Sequence, residues 1–348
     1  MTEKMTKVET KVPFLDECSP FDFLNQVIPN AQPVVLKSVC KNWPLVTAGR
    51  DADTAAVSEL KSFYNGRPAG ASFGPSTISG RFFYNDDATE LNFEKRQANI
   101  SEVLDQILDQ TSLATPSSMY VGSASLKGYF PGLREKNNLD NYFDLLSLEK
   151  DTLLESIWIG NRTIASCHYD APHNLACCVA GRRRFTLFPP DQVSNLYPGP
   201  LEPTPGGQAI SMVNFHNPDF KKHPRFKSAI AAGQIADLEP GDALYIPSMW
   251  WHHVEALEAF NILINYWWST FPKVRGQAMN VLHHAILSIR DRPEQEKQAW
   301  KHLFDHYIFG EDTHAGEHLA EAARGILGTI DDKTARQMRA QLLQKLNR

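Results

Sequence analysis

The sequence predicts a mainly β domain with helical additions, an antiparallel sandwich or barrel followed by a helical C-terminal segment. Three observations carry this. Between Glu155 and Thr270, short β-rich runs follow one another closely: ESIWIG, NLACCVAG, RRFTLFPP, DALYIP and FNILINYWW. Turn signals separate them, among them Pro198-Gly199, Pro205-Gly206-Gly207 and Pro240-Gly241-Asp242. After Pro272 the period switches, and apolar residues recur at spacings of three and four to the end of the chain.

Taken in order, residues 1–114 read as a mixed α/β segment packing on the barrel. Within it AQPVVLKSV (Ala31–Val39) has the β-branched content of a strand, and ISEVLDQILDQ (Ile100–Gln110) is an amphipathic helix with Ser101 as its expected cap. Residues 115–270 form the expected barrel, opening with the short strand MYVG at Met119–Gly122. The segment Tyr197–Ile235, with its HNPDFKKHPRF run, reads as one long loop, and a loop of that length on a barrel is usually functional. Residues 271–348 carry three amphipathic runs, Gln277–Ile289, Pro293–Ile308 and Thr334–Leu346. Short helices of this kind cannot bury their apolar faces alone, so the segment either packs back or joins a second copy; a homodimer is expected.

The bulk numbers limit function. A chain of 348 residues with 42% hydrophobic content can bury one large core, and a formal charge of −5 gives no reason to expect a DNA-binding face. No stretch approaches the roughly 20 apolar residues of a membrane span, and MTEKMTKVETKVPF lacks the apolar centre of a secretory signal. The five cysteines, Cys18, Cys40, Cys167, Cys177 and Cys178, form no CxxC pair and read as reduced thiols in a cytoplasmic protein.

The strongest chemical signal is His168-Tyr169-Asp170. Residues i and i+2 on a strand project from one face, so an imidazole and a carboxylate can converge on one ion. A further imidazole is offered by Trp250-Trp251-His252-His253-Val254, beyond the Pro240-Gly241-Asp242 turn; alternation alone says that one of the two histidines points inward. Two imidazoles and one carboxylate leave three metal positions open, which suits iron(II), a co-substrate and O₂. A closed zinc site would want four ligands, and no thiolates have the spacing for it.

His168-Tyr169-Asp170, Asn174, Gly181, Leu187-Phe188-Pro189-Pro190-Asp191 and Leu196-Tyr197-Pro198, followed by Pro240-Gly241-Asp242, Tyr245-Ile246-Pro247 and Trp250-Trp251-His252-His253-Val254, resemble the cupin-8 branch of the JmjC hydroxylases. The pattern is similar to that of the asparaginyl hydroxylase that inhibits hypoxia-inducible factor. The resemblance is dense over residues 115–270 and implies a double-stranded β-helix (jelly-roll, cupin-like) barrel with iron(II) and 2-oxoglutarate as cofactor and co-substrate. It implies His168, Asp170 and His252 as metal ligands, leaving His253 to packing, and it implies Tyr120, Asn174, Arg183 and Asn265 around 2-oxoglutarate. Trp267, on the same face as Asn265, is the expected residue at the substrate mouth.

Two departures from the family pattern stand out. Arg183 occupies the position where relatives usually carry Lys, and Ala165 the position of a threonine, leaving Thr163 or Ser166 to supply a hydroxyl. The resemblance implies an O₂-dependent hydroxylase, first of a protein or peptide side chain, then of a small molecule or modified nucleoside. The run Ala209-Ile210-Ser211-Met212 lacks the polar side chains with which relatives grip a peptide asparagine. The alternatives are a catalytically silent cupin-like module and a metal-dependent cupin that does not use O₂. His173, His216 and His223, in loop-like surroundings, read as solvated.

Overall fold

The computed structural model describes residues 7–146, 148, 152–311 and 314–347. It divides into two compact units, Met1–Ser269 and Thr270–Arg348. The first is built on strands. Those preceding the HxD motif are β1 (Phe14–Leu15), β2 (Val34–Leu36), β3 (Ala69–Gly74), β4 (Arg81–Phe82), β5 (Glu94–Ala98), β6 (Ser118–Ser125) and β7 (Leu154–Gly160). The rest are β8 (Ile164–Tyr169), β9 (His173–Ala180), β10 (Arg183–Phe188), β11 (Gln234–Leu238), β12 (Ala243–Ile246), β13 (Trp251–Ala256) and β14 (Asn261–Trp268).

These strands form two sheets rather than one closed ladder. The larger runs β1-β2-β12-β9-β14-β7-β6-β3-β5 and the smaller β11-β10-β13-β8-β4, nearly all pairs antiparallel. Ala176, Cys178, Leu244 and Leu263 from the larger sheet pack against Phe185, Leu187, Ala236 and Val254 from the smaller, so the inner faces share one core. This is the jelly-roll arrangement expected of the sequence. The outer face of the larger sheet is covered by helices Pro44–Asp51, Asp53–Phe63 and Ile100–Asp109, whose Leu45, Leu60 and Leu104 are fully buried. A sheet covered on both faces needs apolar side chains on both, which is why β9 and β14 read as near-continuous apolar runs.

Local chemistry accounts for the details. The helix over Ile100–Asp109 is capped by Asn99, not by the expected Ser101: the Asn99 side chain accepts from the Ser101 backbone N–H. The strand expected over Ala31–Val39 shrinks to Val34–Leu36. The segment read as one long loop contains a helix at Phe226–Ala232 and, at its end, edge strand β11. Gly181, in the tight β9–β10 turn, has φ +67°, and a Cβ there would lie 2.3 Å from Asn261 Oδ1, so only glycine fits. In the Pro240-Gly241-Asp242 turn, the buried Asp242 carboxylate is held by Lys37 Nζ at 2.5 Å and by the backbone N–H groups of Ser38 and Glu239.

The second unit holds helices Ala278–Ser288, Glu294–Tyr307 and Asp332–Leu346, close to the three expected runs. Among the described residues no helix is long and apolar enough to cross a membrane. All five cysteines are free, and all but Cys18 are buried.

Candidate metal centre

His168 and His252 are cross-strand partners in the β8–β13 pairing, with ring centroids 4.3 Å apart. Asp170 follows the end of β8 directly, and its Oδ2 lies 3.5 Å from His252 Nε2. One donor atom from each of the three residues falls within 4.8 Å of the others. The backbone here is pinned from the other side of the site: the Met249 N–H donates to the Asp170 carbonyl.

The pairing also separates His252 from its neighbour. The register of β13 against β8 slips between His252 and Val254, leaving His253 without a partner on β8. His252 and Val254 face the interior, whereas His253 stacks on Phe215 on the outer side.

Each inward imidazole is held in a single tautomer. His168 Nδ1 lies 2.8 Å from the Ser166 carbonyl and His252 Nδ1 lies 3.0 Å from the Trp250 carbonyl. A carbonyl only accepts, so both Nδ1 atoms carry hydrogen and both Nε2 lone pairs remain available. Burial and the nearby His252 lower the His168 pKa to about 4, so the ring is neutral at ordinary pH. Burial works to raise the Asp170 pKa, but the surrounding His252, His168 and Trp267 side chains hold it below the usual carboxylate range. Two imidazoles and one carboxylate make a donor set that fits iron(II) or a similar divalent ion, with room for further ligands.

A stability consequence follows for the metal-free protein. Burial also lowers the His253 pKa, to about 3. The unfolded chain takes up protons at these two histidines near pH 6.5, while the fold resists until about 4 and 3. Stability is therefore complete above pH 6.5 and falls as the pH drops below it, by on the order of 3 kcal/mol at His168 alone by pH 4. Thermal unfolding of the metal-free protein at pH 7 and pH 5 checks this: a lower midpoint at pH 5 is expected, and an unchanged one refutes the assignment.

The triad opens onto a cavity of about 520 Å³ between the sheets, the size of a small-molecule site. Its lining includes Tyr120, Asn174, Arg183, Asn265 and Trp267, so the residues expected around the co-substrate and at the substrate mouth reach one space. Arg183 is the informative one. Arg182 pairs with Glu258 and Arg184 with Asp237 at the surface, but strand alternation turns Arg183 inward, where it is 3% exposed. Its Nε and Nη2 have no hydrogen-bond partner among the described residues. A buried, unpaired guanidinium is costly and calls for an anion. Tyr120 faces it: burial raises the tyrosine pKa, and the Arg183 charge offsets part of the rise.

Asn265 is paired on both sides, accepting from Trp158 Nε1 at 2.7 Å and donating to Asn174 Oδ1 at 3.2 Å. Of the two hydroxyls considered in place of the missing threonine, Ser166 lines the cavity with a buried Oγ that lacks a partner; Thr163 is not among the lining residues.

The mouth was less legible in the sequence. Trp158, Phe82, Phe93 and Lys95 contribute to it, the last three from strands and turns of the N-terminal third. Phe82 stacks on Tyr120, and Trp158 meets Trp267 edge-on. An aromatic in a β-rich run is a visible signal, but which face it presents depends on register. One histidine read as solvated, His223, is buried, and His173 is half-buried, stacked on Trp268 while its Nδ1 meets the Tyr245 hydroxyl at 3.0 Å. Both lie in polar sequence that the fold covers with aromatic side chains.

Comparison with known proteins gives a consistent family. The profile of the cupin-8 family, described as a cupin-like domain, matches residues 20–274. The chain is 26% identical to lysine-specific demethylase 8 of Xenopus tropicalis over 263 residues, which cover 75% of this chain and 53% of that protein. It is 26% identical to tRNA wybutosine-synthesizing protein 5 of Gallus gallus over 323 residues, covering 84% and 92%. Against HSPB1-associated protein 1 of Homo sapiens it is 31% identical over 181 residues, 49% and 36%. The chain thus spans about half or less of the first and third relatives and nearly all of the second.

Proposed function

The chain belongs to the cupin-8 family of cupin-like domains, and on that premise we propose that it is an iron(II)- and 2-oxoglutarate-dependent oxygenase that hydroxylates a substrate C–H bond. One observation carries the reading: His168, Asp170 and His252 converge on a cavity whose buried cation, Arg183, has no anion among the described residues.

When bound, iron(II) and 2-oxoglutarate would supply the activation of O₂, one oxygen atom going to the substrate and the other to the keto acid as it loses CO₂ and becomes succinate. The rest is the work of the chain. His168, Asp170 and His252 would hold the metal, with the cavity beside them free for the keto acid and substrate. The Ser166 and Trp250 carbonyls keep both imidazoles oriented for the metal. Arg183 and Tyr120 receive the far carboxylate of 2-oxoglutarate, with Ser166 the residue placed to add a hydroxyl. The Trp158–Asn265–Asn174 chain of hydrogen bonds fixes the two amides near the keto-acid end. Trp267 and Trp158 wall the substrate side and keep it dry.

The substrate we favour is a protein or peptide side chain. A modified nucleoside is the second reading, favoured by the near-full-length match to a tRNA-modifying relative and by the aromatic mouth at Phe82, Phe93 and Trp158. Neither reading uses Ala209 and Ile210 as polar grips, since both are buried apolar residues. Succinate production from 2-oxoglutarate, with and without O₂, tests the proposal. Oxygen-dependent succinate, stimulated by peptides or by nucleosides, is expected and selects between them. Turnover without O₂ would leave a non-oxygenase cupin, and none under any condition would leave a silent module.

The C-terminal unit is proposed as a self-association surface, supported by the exposed Val281, Leu282, Leu287, Leu303 and Leu343 on its helices. Sedimentation at the mass of one chain counts against it. Free, mostly buried thiols fit a reducing, cytoplasmic setting.

A further inference from the structure

The outer face of β13 repeats the chemistry of its inner face. His252 and Val254 line the cavity, so alternation sends His253 and Glu255 to the opposite side of the smaller sheet. His253-Val254-Glu255 is thus a second imidazole and carboxylate at i and i+2 on one strand face. The third member comes from the segment between Tyr197 and the helix Phe226–Ala232. There Phe215 stacks on His253, with ring centroids 4.5 Å apart, and the next residue, His216, meets Glu255 Oε1 through Nε2.

We propose that His216, His253 and Glu255 form a second, outer site for a divalent metal ion, zinc by ligand preference. One donor atom from each of the three lies within 4.8 Å of the others. His253 is 4% exposed, and neither of its ring nitrogens has a hydrogen-bond partner among the described residues. A neutral imidazole always has one nitrogen that accepts and one that donates, and burying both unmet is unfavourable. A metal ion takes up the accepting nitrogen, which stacking on Phe215 cannot.

The donor set, two imidazoles and one carboxylate, is the common three-ligand zinc arrangement with water as the fourth ligand. Zinc at about 2.1 Å from each donor places neighbouring donors about 3.4 Å apart in a tetrahedron. His216 and Glu255 are closer than that and would open to admit the ion, and with all donors within 4.8 Å of one another, bringing His253 onto the pair closes a gap of at most about 1.4 Å. His216, with a side chain 59% exposed, has the freedom to move. Two nearby charges oppose the ion: Arg81, which acts on His253 while stacked on Phe83 and donating to the Val213 carbonyl, and Arg184, the cross-strand partner of Glu255, whose charge is partly answered by Asp237. The Glu255 carboxylate answers them.

The site has a structural consequence. Gly206, Gln208 and Ile210 of the same segment line the central cavity. A zinc ion on His216 would fasten that segment to β13 and so fix one wall of the cavity. This holds whether or not the cavity houses an oxygenase, because it rests on the other face of the sheet.

The test is metal stoichiometry. Tag-free full-length protein is stripped with a chelator, equilibrated with zinc chloride, desalted and measured for zinc per chain by mass spectrometry. Zinc also occupies the inner triad in this assay, so two ions per chain are expected for the wild type. His216→Ala, at an exposed position that leaves the core intact, is expected to lower the count to one. Asp170→Ala also retains one, and the double variant none. The proposal is overturned if His216→Ala binds as much zinc as the wild type, or if the wild type binds one ion that Asp170→Ala removes.

Discussion

Asp170→Ala is expected to lower iron(II) affinity by about 10²–10³-fold and to abolish oxygen-dependent succinate formation. The magnitude is scaled from four-ligand structural zinc sites, where roughly 10–16 kcal/mol of metal binding amounts to about 2.5–4 kcal/mol for each ligand. Asp170 supplies the only negative charge in the triad, so its loss also removes the charge neutralisation that favours a divalent ion over bulk water. The fold is expected to survive, because Asp170 lies just past the end of β8 and its backbone carbonyl still accepts from Met249. Equilibrium dialysis against iron(II) under anaerobic conditions, with circular dichroism as a folding control, measures the effect. An affinity within a few-fold of wild type, in a folded variant, would remove Asp170 from the site.

Arg183→Gln is expected to raise the KM for 2-oxoglutarate by about 10²-fold or more, with a much smaller change in kcat. Removing one partner of a buried charge pair costs about 2–5 kcal/mol, and a contact made equally in the ground and transition states appears in KM. A second effect has the opposite sign. In the ligand-free protein the guanidinium is buried without a counter-ion, so replacing it with a neutral amide should leave thermal stability unchanged or raise it. A residue conserving structure alone would do the reverse, lowering stability and leaving KM alone. Arg183→Lys, which keeps the charge but not the fork, is expected to fall between wild type and Arg183→Gln. Steady-state kinetics against 2-oxoglutarate and a melting curve of the ligand-free variants separate these outcomes.

The β framework was legible because turn residues and apolar runs are local signals: RRFTLF, DALYI and NILINYWW are strands within a residue or so of their expected bounds. The HxD pair was legible for the same reason, since a period of two places His168 and Asp170 on one side. Arg183 could be picked from three consecutive arginines only through the resemblance. Its physical distinction is that Arg182 and Arg184 find Glu258 and Asp237 across neighbouring chain segments, partners 76 and 53 residues away that no local pattern announces.

The choice between His252 and His253 was likewise non-local, because the slip against β8 that separates them is a property of the pairing and not of either strand. The cap at Asn99 and the helix inside the Tyr197–Ile235 segment were missed on weaker grounds: adjacent Asn and Ser both cap well, and FKSAIAA is too short for its period to stand out. The aromatic mouth was hidden by distance, since Phe82 and Phe93 reach the cavity only once the N-terminal strands have joined the sheets.

The central claim is that two imidazoles and a carboxylate hold iron(II) with space beside it for a keto acid. Anaerobic titration of the metal-free protein with iron(II) and 2-oxoglutarate tests it most directly. A visible metal-to-ligand charge-transfer band is predicted, absent with either component alone and absent in Asp170→Ala. Iron binding to the wild type without that band at saturating 2-oxoglutarate would contradict it.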